Sequence, residues 1–330
     1  MRLIADFIFL ILFLFLVLGW VLAWMAFHVA GGAIHLLLVL AVFFLIIHLI
    51  PGNPAQTLLF GSNPTPAQIQ HLEVELGLDK PLYVQYGIYL WNLLHGNMGT
   101  SFLSNQSVTS ELLSRAPSTL ILSLSAIIFA VLVGVPLGII GGVSPGSPQD
   151  AIARFVSFTG TSIPYFWLAL ILVLIFAVHL NWLPAIDNGT FKALILPSIA
   201  LGWAYAAVLT RLIRGRLIDV YHSEYIRNAQ AKGCTPFHVL VHHALRNAAI
   251  PAITVLGLQV GNILTGAAVI EVIFARAGLG SYMVSAINSK DIPVVQASVL
   301  FVGTAYVIIN LIVDLFVGVI DPRTRQPASG

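Results

Sequence analysis

The stretch EYIRNAQAKGCTPFHVLVHHALRNAAIP, from Glu224 to Pro251, decides how this chain is organised. It is polar and basic, with Arg227, Lys232 and Arg246, whereas long apolar segments flank it on both sides. Gly233 divides the stretch, and glycine takes a left-handed turn at no steric cost. The pattern predicts a charged helical hairpin between two membrane spans, which suits the docking of a soluble partner and not a solute path.

The composition places the whole chain in a lipid bilayer. Hydrophobic residues make up 58% of the 330 residues and charged residues 8%, against roughly 25% charged in a soluble domain. The mean hydropathy of +0.94 agrees. We therefore expect an all-α polytopic membrane protein. No basic run interleaved with aromatics points to nucleic acid, and the one cysteine, Cys234, excludes an intramolecular disulfide or a multi-cysteine metal site.

Apolar runs of about 20 residues indicate the membrane spans. Six core transmembrane helices are predicted, near 33–50, 118–142, 152–178, 194–213, 249–273 and 294–319. These divide the chain into an N-terminal apolar extension over 1–32, a first core helix over 33–50, an extracytoplasmic helical loop domain over 51–116 and a core transmembrane domain over 117–326 that contains the hairpin at 222–250.

The N-terminal extension contains an additional apolar run over 3–27. One helix from 3 to 50 would be ~72 Å long, over twice the hydrocarbon thickness, so the helix must break, and His28-Val29-Ala30-Gly31-Gly32 is the plausible place. A signal peptide is the alternative, but the apolar run is too long for one. We expect an uncleaved extra helix.

The distribution of Lys and Arg orients the chain. More of them fall on the side of the 222–250 hairpin, which places that hairpin and the C-terminus in the cytoplasm and 51–116 outside. The external loop carries its own helix signals: Thr65, Pro66 and Gln68 form a capping-box pattern, and Gly77 is placed to end that helix. A second helix is predicted from about Pro81. The loop is either a cap on the membrane domain or a landing surface for an extracytoplasmic binding protein.

Four stretches carry a resemblance to a known family. The order Glu-Tyr-Ile-Arg from Glu224, Ala229, Ala231-Lys232-Gly233 and His243-Ala-Leu-Arg-Asn-Ala resembles the "EAA" loop of ABC importer permeases, in the dipeptide, oligopeptide, glutathione and nickel branch. GLDKPLYVQYG from Gly77 and the C-terminal stretches IEVIF and NLIVDLFVGVIDPR are also similar to that branch.

The resemblance implies a type I importer permease in the bacterial inner membrane. Its partners would be a second homologous permease, two ABC ATPases that bind the ATP, and an extracytoplasmic solute-binding protein. The solute would be a di- or oligopeptide, or nickel or a nickel chelate, since YFWLA at 165–169 and NWLPA at 181–185 resemble nickel-type members. The implied ATPase-coupling residues are Glu224, Tyr225, Arg227, Ala229, Ala231, Lys232, Gly233, Arg246 and Asn247.

The sequence contains no phosphate-binding loop of its own. No G-x-x-x-x-G-K-[ST] motif occurs, so an ATP-driven mechanism needs a separate ATPase polypeptide, and we expect neither an enzyme nor a cofactor in this chain. The alternative is a secondary transporter or channel without ATPase subunits. No inverted repeat with broken helices and no set of ring-forming carboxylates favours it.

Two polar clusters complete the candidates. His238, His242 and His243 lie close in sequence without a nearby carboxylate, so surface histidines and no metal are expected. Gln259, Asn262 and Thr265 lie within two turns of the 249–273 segment, where polar groups are costly. They either line the solute path or hydrogen-bond to another helix.

Two further features of the apolar segments have a predicted role. Gly134, Gly138 and Gly142 repeat at every fourth residue, a spacing that lets membrane helices approach closely. Glu271 is an acidic residue at membrane depth, which makes it a functional candidate by default. The resemblance implies that it belongs to the scaffold and gate instead of a proton relay.

Overall fold

The computed structural model describes residues 44, 55, 65–75 and 77–320. The predicted extension over 1–32 and all of the predicted first span over 33–50 except Phe44 lie outside these residues. The chain divides into two compact units, Met1–Ser114 with Met283–Phe301 and Arg115–Tyr282 with Val302–Gly330. Among the described residues the regular structure is helical, with one isolated bridge between Thr100 and Ser107. The prediction of an all-α fold is confirmed.

The described part of the first unit contains two short helices, α1 over Pro66–Glu75 and α2 over Leu82–Leu94. The capping box forms as predicted: Thr65 N donates to Gln68 Oε1 at 2.8 Å, and Gln68 N donates to Thr65 Oγ1 at 3.4 Å. Gly77 adopts φ +67°, the left-handed conformation expected after α1. Local sequence signals thus set both ends of this helix.

The loop after α2 is fastened to the C-terminal part of the same unit. Ser101 Oγ donates to Asp291 Oδ2 at 2.5 Å, and Phe102 N donates to Asp291 Oδ1 at 3.1 Å. Tyr83, Trp91 and Leu94 on α2 are exposed by 52%, 66% and 82%. The unit therefore presents an apolar and aromatic surface on a folded loop domain.

The remaining helices include all the long ones among the residues that the structure describes. Their bounds are α3 Val108–Val143, α4 Pro148–Ser162, α5 Tyr165–Leu172 followed by a π-helix Val173–His179, α6 Phe191–Tyr221, α7 Glu224–Ala231, α8 Pro236–His238 followed by a π-helix Val239–Ala244, α9 Leu245–Ile273, α10 Leu279–Asn288 and α11 Ile292–Ile320. Within the described residues, three helices are long and apolar enough to cross a membrane, or up to five spans if each of two bent helix pairs counts as one. The predicted spans over 118–142, 194–213, 249–273 and 294–319 lie in α3, α6, α9 and α11.

The predicted span over 152–178 is not one straight helix. Its two arms, α4 and the segment Tyr165–His179, meet at a bend of 108°. Pro164 lacks an amide hydrogen and disfavours the helical conformation of the residue before it. Ile163 accordingly has φ −92° and ψ 121°. The single-helix prediction was wrong here because the apolar pattern continues through a backbone break.

Helix α6 is the centre of the second unit and packs against α4, α5 and α9. The predicted glycine stripe lets α3 approach it: a Cβ on Gly134 would lie 2.6 Å from the Ala206 carbonyl oxygen, and one on Gly138 would lie 2.8 Å from Ile213 Cβ. Gly142 likewise faces Leu217. The prediction that these glycines serve helix packing is confirmed.

Large apolar side chains remain exposed along the outer faces of α3 and α11. A water-soluble protein would bury such stripes, and their exposure suits lipid or a second membrane subunit. They are Leu113, Leu120, Leu124, Ile128 and Leu132 on α3, and Val307, Ile308, Leu311, Ile312 and Leu315 on α11.

Candidate functional site

The stretch that resembles the coupling loop folds as a hairpin of two short helices. Helix α7 ends at Ala231, and Gly233 turns the chain with φ +83°, the left-handed conformation that was predicted. Thr235 then caps the second arm: its Oγ1 accepts a hydrogen bond from the His238 amide at 3.3 Å. The second arm continues without interruption through the π-helix Val239–Ala244 into α9.

One side of this hairpin is anchored in an apolar cluster. Ile226, Val239 and Ala244 are fully buried, together with Ile213 and Leu217 of α6. Ala229, one of the predicted coupling residues, is 8% exposed and belongs to this buried side. Ala229 therefore helps to pack the hairpin against α6.

The opposite side of the hairpin is polar and exposed. Tyr225 and Asn247 connect its two arms, since Asn247 Nδ2 donates to the Tyr225 hydroxyl at 2.9 Å. Neither Arg227 nor Lys232 forms a side-chain ion pair with another residue that the structure describes. The exposed members of the predicted set are Glu224, Tyr225, Arg227, Ala231, Lys232, Gly233, Arg246 and Asn247.

Sequence reasoning missed one prominent member of this surface. Phe237 is 74% exposed at the start of the second arm. A signal for it existed: Phe237 is two residues from Val239, and residues two apart in a helix do not share a face. If Val239 is buried, Phe237 must point away from the core.

A buried ion pair fixes the helix that leads into the hairpin. Asp150, near the start of α4, is 1% exposed and accepts hydrogen bonds from Arg214 Nη2 at 3.0 Å and from Gly146 N at 2.9 Å. Arg214 Nε also contacts the carboxylate, and Arg154 lies 3.4 Å away. Because Arg214 is two turns before the end of α6, this pair ties α4 to the base of the hairpin. The sequence separation of Asp150 and Arg214 hid the pair.

The predicted polar face of α9 is present. Asn262 Nδ2 donates to Gln259 Oε1 at 2.8 Å, and Asn262 and Thr265 are exposed, whereas Ile263 is fully buried. Val269 is 40% exposed on the same side. Helix α9 therefore presents a face that is polar at Asn262 and Thr265 and apolar further along.

Glu271, at the other end of α9, is fully buried and surrounded by donors. Thr119 Oγ1 donates to Oε1 at 2.5 Å, and the amides of Gly280 and Ser281 donate to Oε2 at 2.8 and 3.0 Å. Those two amides lie in the first turn of α10, where backbone N–H groups have no helical partner. The carboxylate therefore serves as the cap of α10.

The turn between α9 and α10 is shaped around this carboxylate. A Cβ on Gly278 would lie 2.1 Å from Glu271 Oε1, so no other residue fits there. Arg276 Nη1 forms an ion pair with Asp187 Oδ2 at 2.9 Å. Glu271 is thus fixed by hydrogen bonds within the chain, which agrees with the scaffold role implied by the resemblance.

Comparison with known proteins bears directly on the hairpin and the helices around it. Residues 134–326 match the family model of the binding-protein-dependent transport system inner membrane component, and 21–125 match the model of its N-terminal region. The chain belongs to this family. The permease therefore carries its hairpin, α9 and the Glu271 scaffold within the part that the main family model matches.

Named relatives cover most of the permease. The dipeptide transport system permease protein DppB of Alkalihalophilus pseudofirmus is 43% identical over 310 residues, which is 86% of this chain and 93% of the relative. DppB of Escherichia coli (strain K12) is 38% identical over 314 residues, with the same two shares. The glutathione transport system permease protein GsiC of Salmonella typhimurium is 40% identical over 295 residues, 89% of this chain and 96% of the relative.

Solved structures give the fold. An inward-facing form of the MetNI methionine ABC transporter matches 64% of this chain and 96% of its own with a TM-score of 0.53, at 16% identity. Together with the relatives, this likeness confirms the prediction: the chain is a multi-pass inner-membrane permease subunit of an ATP-driven ABC importer. The family works with ATPase and solute-binding partners in general.

Proposed function

We propose that this permease forms, with a second homologous permease, the pathway for short peptides into the cytoplasm. The three named relatives are dipeptide and glutathione permeases at 38–43% identity along most of the chain, and glutathione is itself a tripeptide. The resemblance of YFWLA and NWLPA to nickel-type members is shorter than these matches. Short peptides are therefore the substrate class that we assign.

The hairpin couples the pathway to ATP hydrolysis in two partner ATPases. This chain contributes no ATP site, no catalytic residue and no cofactor, in keeping with the missing phosphate-loop motif. The observation that carries the proposal is the hairpin's division into two sides. Ile226 and Val239 pack one side against α6, whereas Arg227 and Lys232 lie on the other side and form no ion pair with any residue that the structure describes.

A hairpin built in this way is connected to α9, through a bend of 42° between Ala249 and Pro251. Its buried side packs on α6, α6 is tied to α4 through Asp150 and Arg214, and its second arm continues into α9. A displacement at Lys232 would therefore move α9, with Asn262 and Thr265 on its exposed face. We assign this face, together with Gln259, to the lining of the solute route.

The external unit supplies the landing surface for the solute-binding protein. Tyr83, Trp91 and Leu94 present an exposed aromatic and apolar surface on α2. Aromatic side chains are enriched where proteins meet, because they contribute large contact areas at low entropic cost. The C-terminus and hairpin then face the cytoplasm, as the distribution of Lys and Arg predicts.

Uptake in cells tests the proposal. A strain that lacks this permease but retains its partner subunits is complemented with the chain and supplied with a labelled dipeptide, glutathione or Ni²⁺. We expect the dipeptide or glutathione to enter, and entry to stop when a partner ATPase carries a substitution that abolishes hydrolysis. Entry of Ni²⁺ alone would refute the substrate class, and entry without ATP hydrolysis would favour a secondary transporter.

A further inference from the structure

The hairpin brings together three metal-ligating side chains that are dispersed in sequence. A donor atom from each of Cys234, His238 and His243 lies within 4.8 Å of the other two. Cys234 and His243 are half-buried, and His238 is exposed. Cys234 and His243 are therefore more restricted by their surroundings than the exposed His238 side chain.

The backbone explains why these residues meet. The left-handed turn at Gly233 places Cys234 against the start of the second arm, where its amide donates to the Ala229 carbonyl at 3.2 Å. His238 and His243 are five residues apart, which on an α-helix puts them roughly 140° apart. The π-helix Val239–Ala244 changes that phase and brings the two rings to a centroid distance of 5.6 Å. Single-turn π-helices are frequent at functional sites.

The donor set selects a class of ion. A thiolate with two imidazoles is a set that suits Zn²⁺, and three protein ligands with a water in the fourth position is a common zinc arrangement. Tetrahedral coordination needs donor separations of about 3.3–3.6 Å, given Zn–S and Zn–N distances of about 2.3 and 2.0 Å. Because the three donors lie within 4.8 Å of one another, they need to close by at most ~1.5 Å, and rotation of the exposed His238 side chain supplies part of this movement.

The geometry points to a Zn²⁺-binding site formed by Cys234, His238 and His243 on the cytoplasmic hairpin. On binding, the Cys234 thiol releases its proton to solvent, and both imidazoles bind as neutral rings. The ion would cross-link the Gly233 turn to the second arm. It binds to this chain alone, so the site does not depend on the proposed coupling to ATPases.

The histidine cluster was expected to be an ordinary surface feature because no carboxylate lies near it in the sequence. In the structure the His242 ring stacks on His238 with centroids 4.3 Å apart, but it is not a member of the triad with Cys234. His242 is therefore a matched control. It has the same chemistry, belongs to the same arm and lies next to the third ligand.

Metal titration of the purified full-length permease in lipid nanodiscs tests the site. Zn²⁺ affinity is measured by competition with a chromophoric chelator, and Co²⁺ is added separately to look for a thiolate-to-metal charge-transfer band. Cys234→Ser and His243→Gln should each lower the affinity at least ~10-fold, since loss of even an outer-shell partner costs 10–100-fold. Cys234→Ser should also abolish the band. His242→Gln should leave both unchanged.

Each alternative result overturns the proposal. Equal affinity in the wild type and Cys234→Ser, or no charge-transfer band, would mean that histidines alone bind the ion. A loss of affinity in His242→Gln with none in His243→Gln would replace the triad by His238 and His242, the pair one α-helical turn apart. Melting temperatures in chelator establish that the variants fold, and Zn²⁺ should raise the melting temperature of the wild type more than that of Cys234→Ser.

Discussion

The two ends of one continuous helical segment, 236–273, treat polar groups in opposite ways. At its end, Glu271 is fully buried and accepts hydrogen bonds from Thr119 and from the first turn of α10. At its beginning, Arg246 and Asn247 stand on an exposed surface with Arg227 and Lys232 of the other arm. The buried carboxylate is satisfied inside the chain, whereas the exposed cations are not.

The two ends show how polar groups that stabilise the fold of this permease differ from polar groups that are available to another subunit. A buried polar group that finds all its partners within the chain stabilises the fold, and its loss is felt as unfolding. A polar group that the fold leaves exposed and unpaired is available to another subunit. Substitutions at the two ends should therefore fail in different assays, and the following predictions test that separation.

The largest effect is expected at Glu271. Glu271→Ala leaves the Thr119 hydroxyl and the Gly280 and Ser281 amides without an acceptor, which should cost about 3–5 kcal/mol of stability. Membrane-inserted protein and its melting temperature should both fall sharply. Glu271→Gln keeps an acceptor oxygen and should lose less. Normal folding of Glu271→Ala with reduced uptake would mean that Glu271 has a functional role and that burial does not separate structural from functional groups here.

Charge reversal on the hairpin should affect assembly and leave folding unchanged. Arg227→Glu should weaken binding of the ATPases by ~1–3 kcal/mol through the loss of charge-assisted hydrogen bonds. The measurement is the yield of ATPase subunits co-purified with the permease, with the melting temperature of the permease alone as the folding readout. Arg227→Lys retains the charge and serves as the control. Unchanged yield and uptake in Arg227→Glu would remove Arg227 from the docking surface.

The shape of the hairpin is tested at Gly233. Its φ of +83° is strained for a β-branched residue, although the space around it is open. Gly233→Val should cost about 1–2 kcal/mol locally, leave membrane insertion intact and reduce ATPase docking. Gly233→Asn tolerates the left-handed conformation better and should restore docking. Co-purification of the ATPases at the wild-type level with Gly233→Val would show that the turn does not matter for coupling.

The smallest effect is expected on the exposed face of α9, where labelling and not stability is the readout. In a Cys234→Ser background, cysteines at Gln259, Asn262 and Thr265 should react with a small water-soluble thiol reagent, faster or slower when the ATPases are trapped with ATP. A cysteine at the buried Ile263 should stay unreactive in both states. Inert cysteines at all three polar positions would mean that the face packs against protein and that the route lies elsewhere.

Much of the fold followed from local sequence signals. The capping box at Thr65 and the left-handed glycines Gly77 and Gly233 formed as predicted, because each depends on a few neighbouring residues and on backbone sterics. The Gly134 stripe was also predictable, since close approach requires a missing side chain whatever the partner helix. Residues that act through local geometry are the ones that sequence reasoning finds.

The features that the sequence did not show depend on backbone breaks and on distant partners. Pro164 bends the chain by 108°, yet Pro136 and Pro197 lie inside continuous helices, so proline alone does not announce a bend. The π-helix Val239–Ala244 turns His243 to a different angular position than an α-helix would, which is why the sequence alone did not place Cys234 and His243 together. The Asp150 pair joins residues from two helices, and only packing reveals it.

The bend at Pro164 has a consequence for the bilayer itself. Each arm has 15 residues and would be ~22 Å long, so a straight segment would reach ~45 Å, whereas arms bent by 108° bring its ends to ~26 Å apart. That reach is shorter than a hydrocarbon core of about 30 Å. If this segment spans the bilayer, the membrane around it thins or its ends draw polar headgroups inward, at a modest cost for each ångström of mismatch. Bilayer thickness, which depends on lipid chain length, should therefore affect this permease through α4 and the Tyr165–His179 arm.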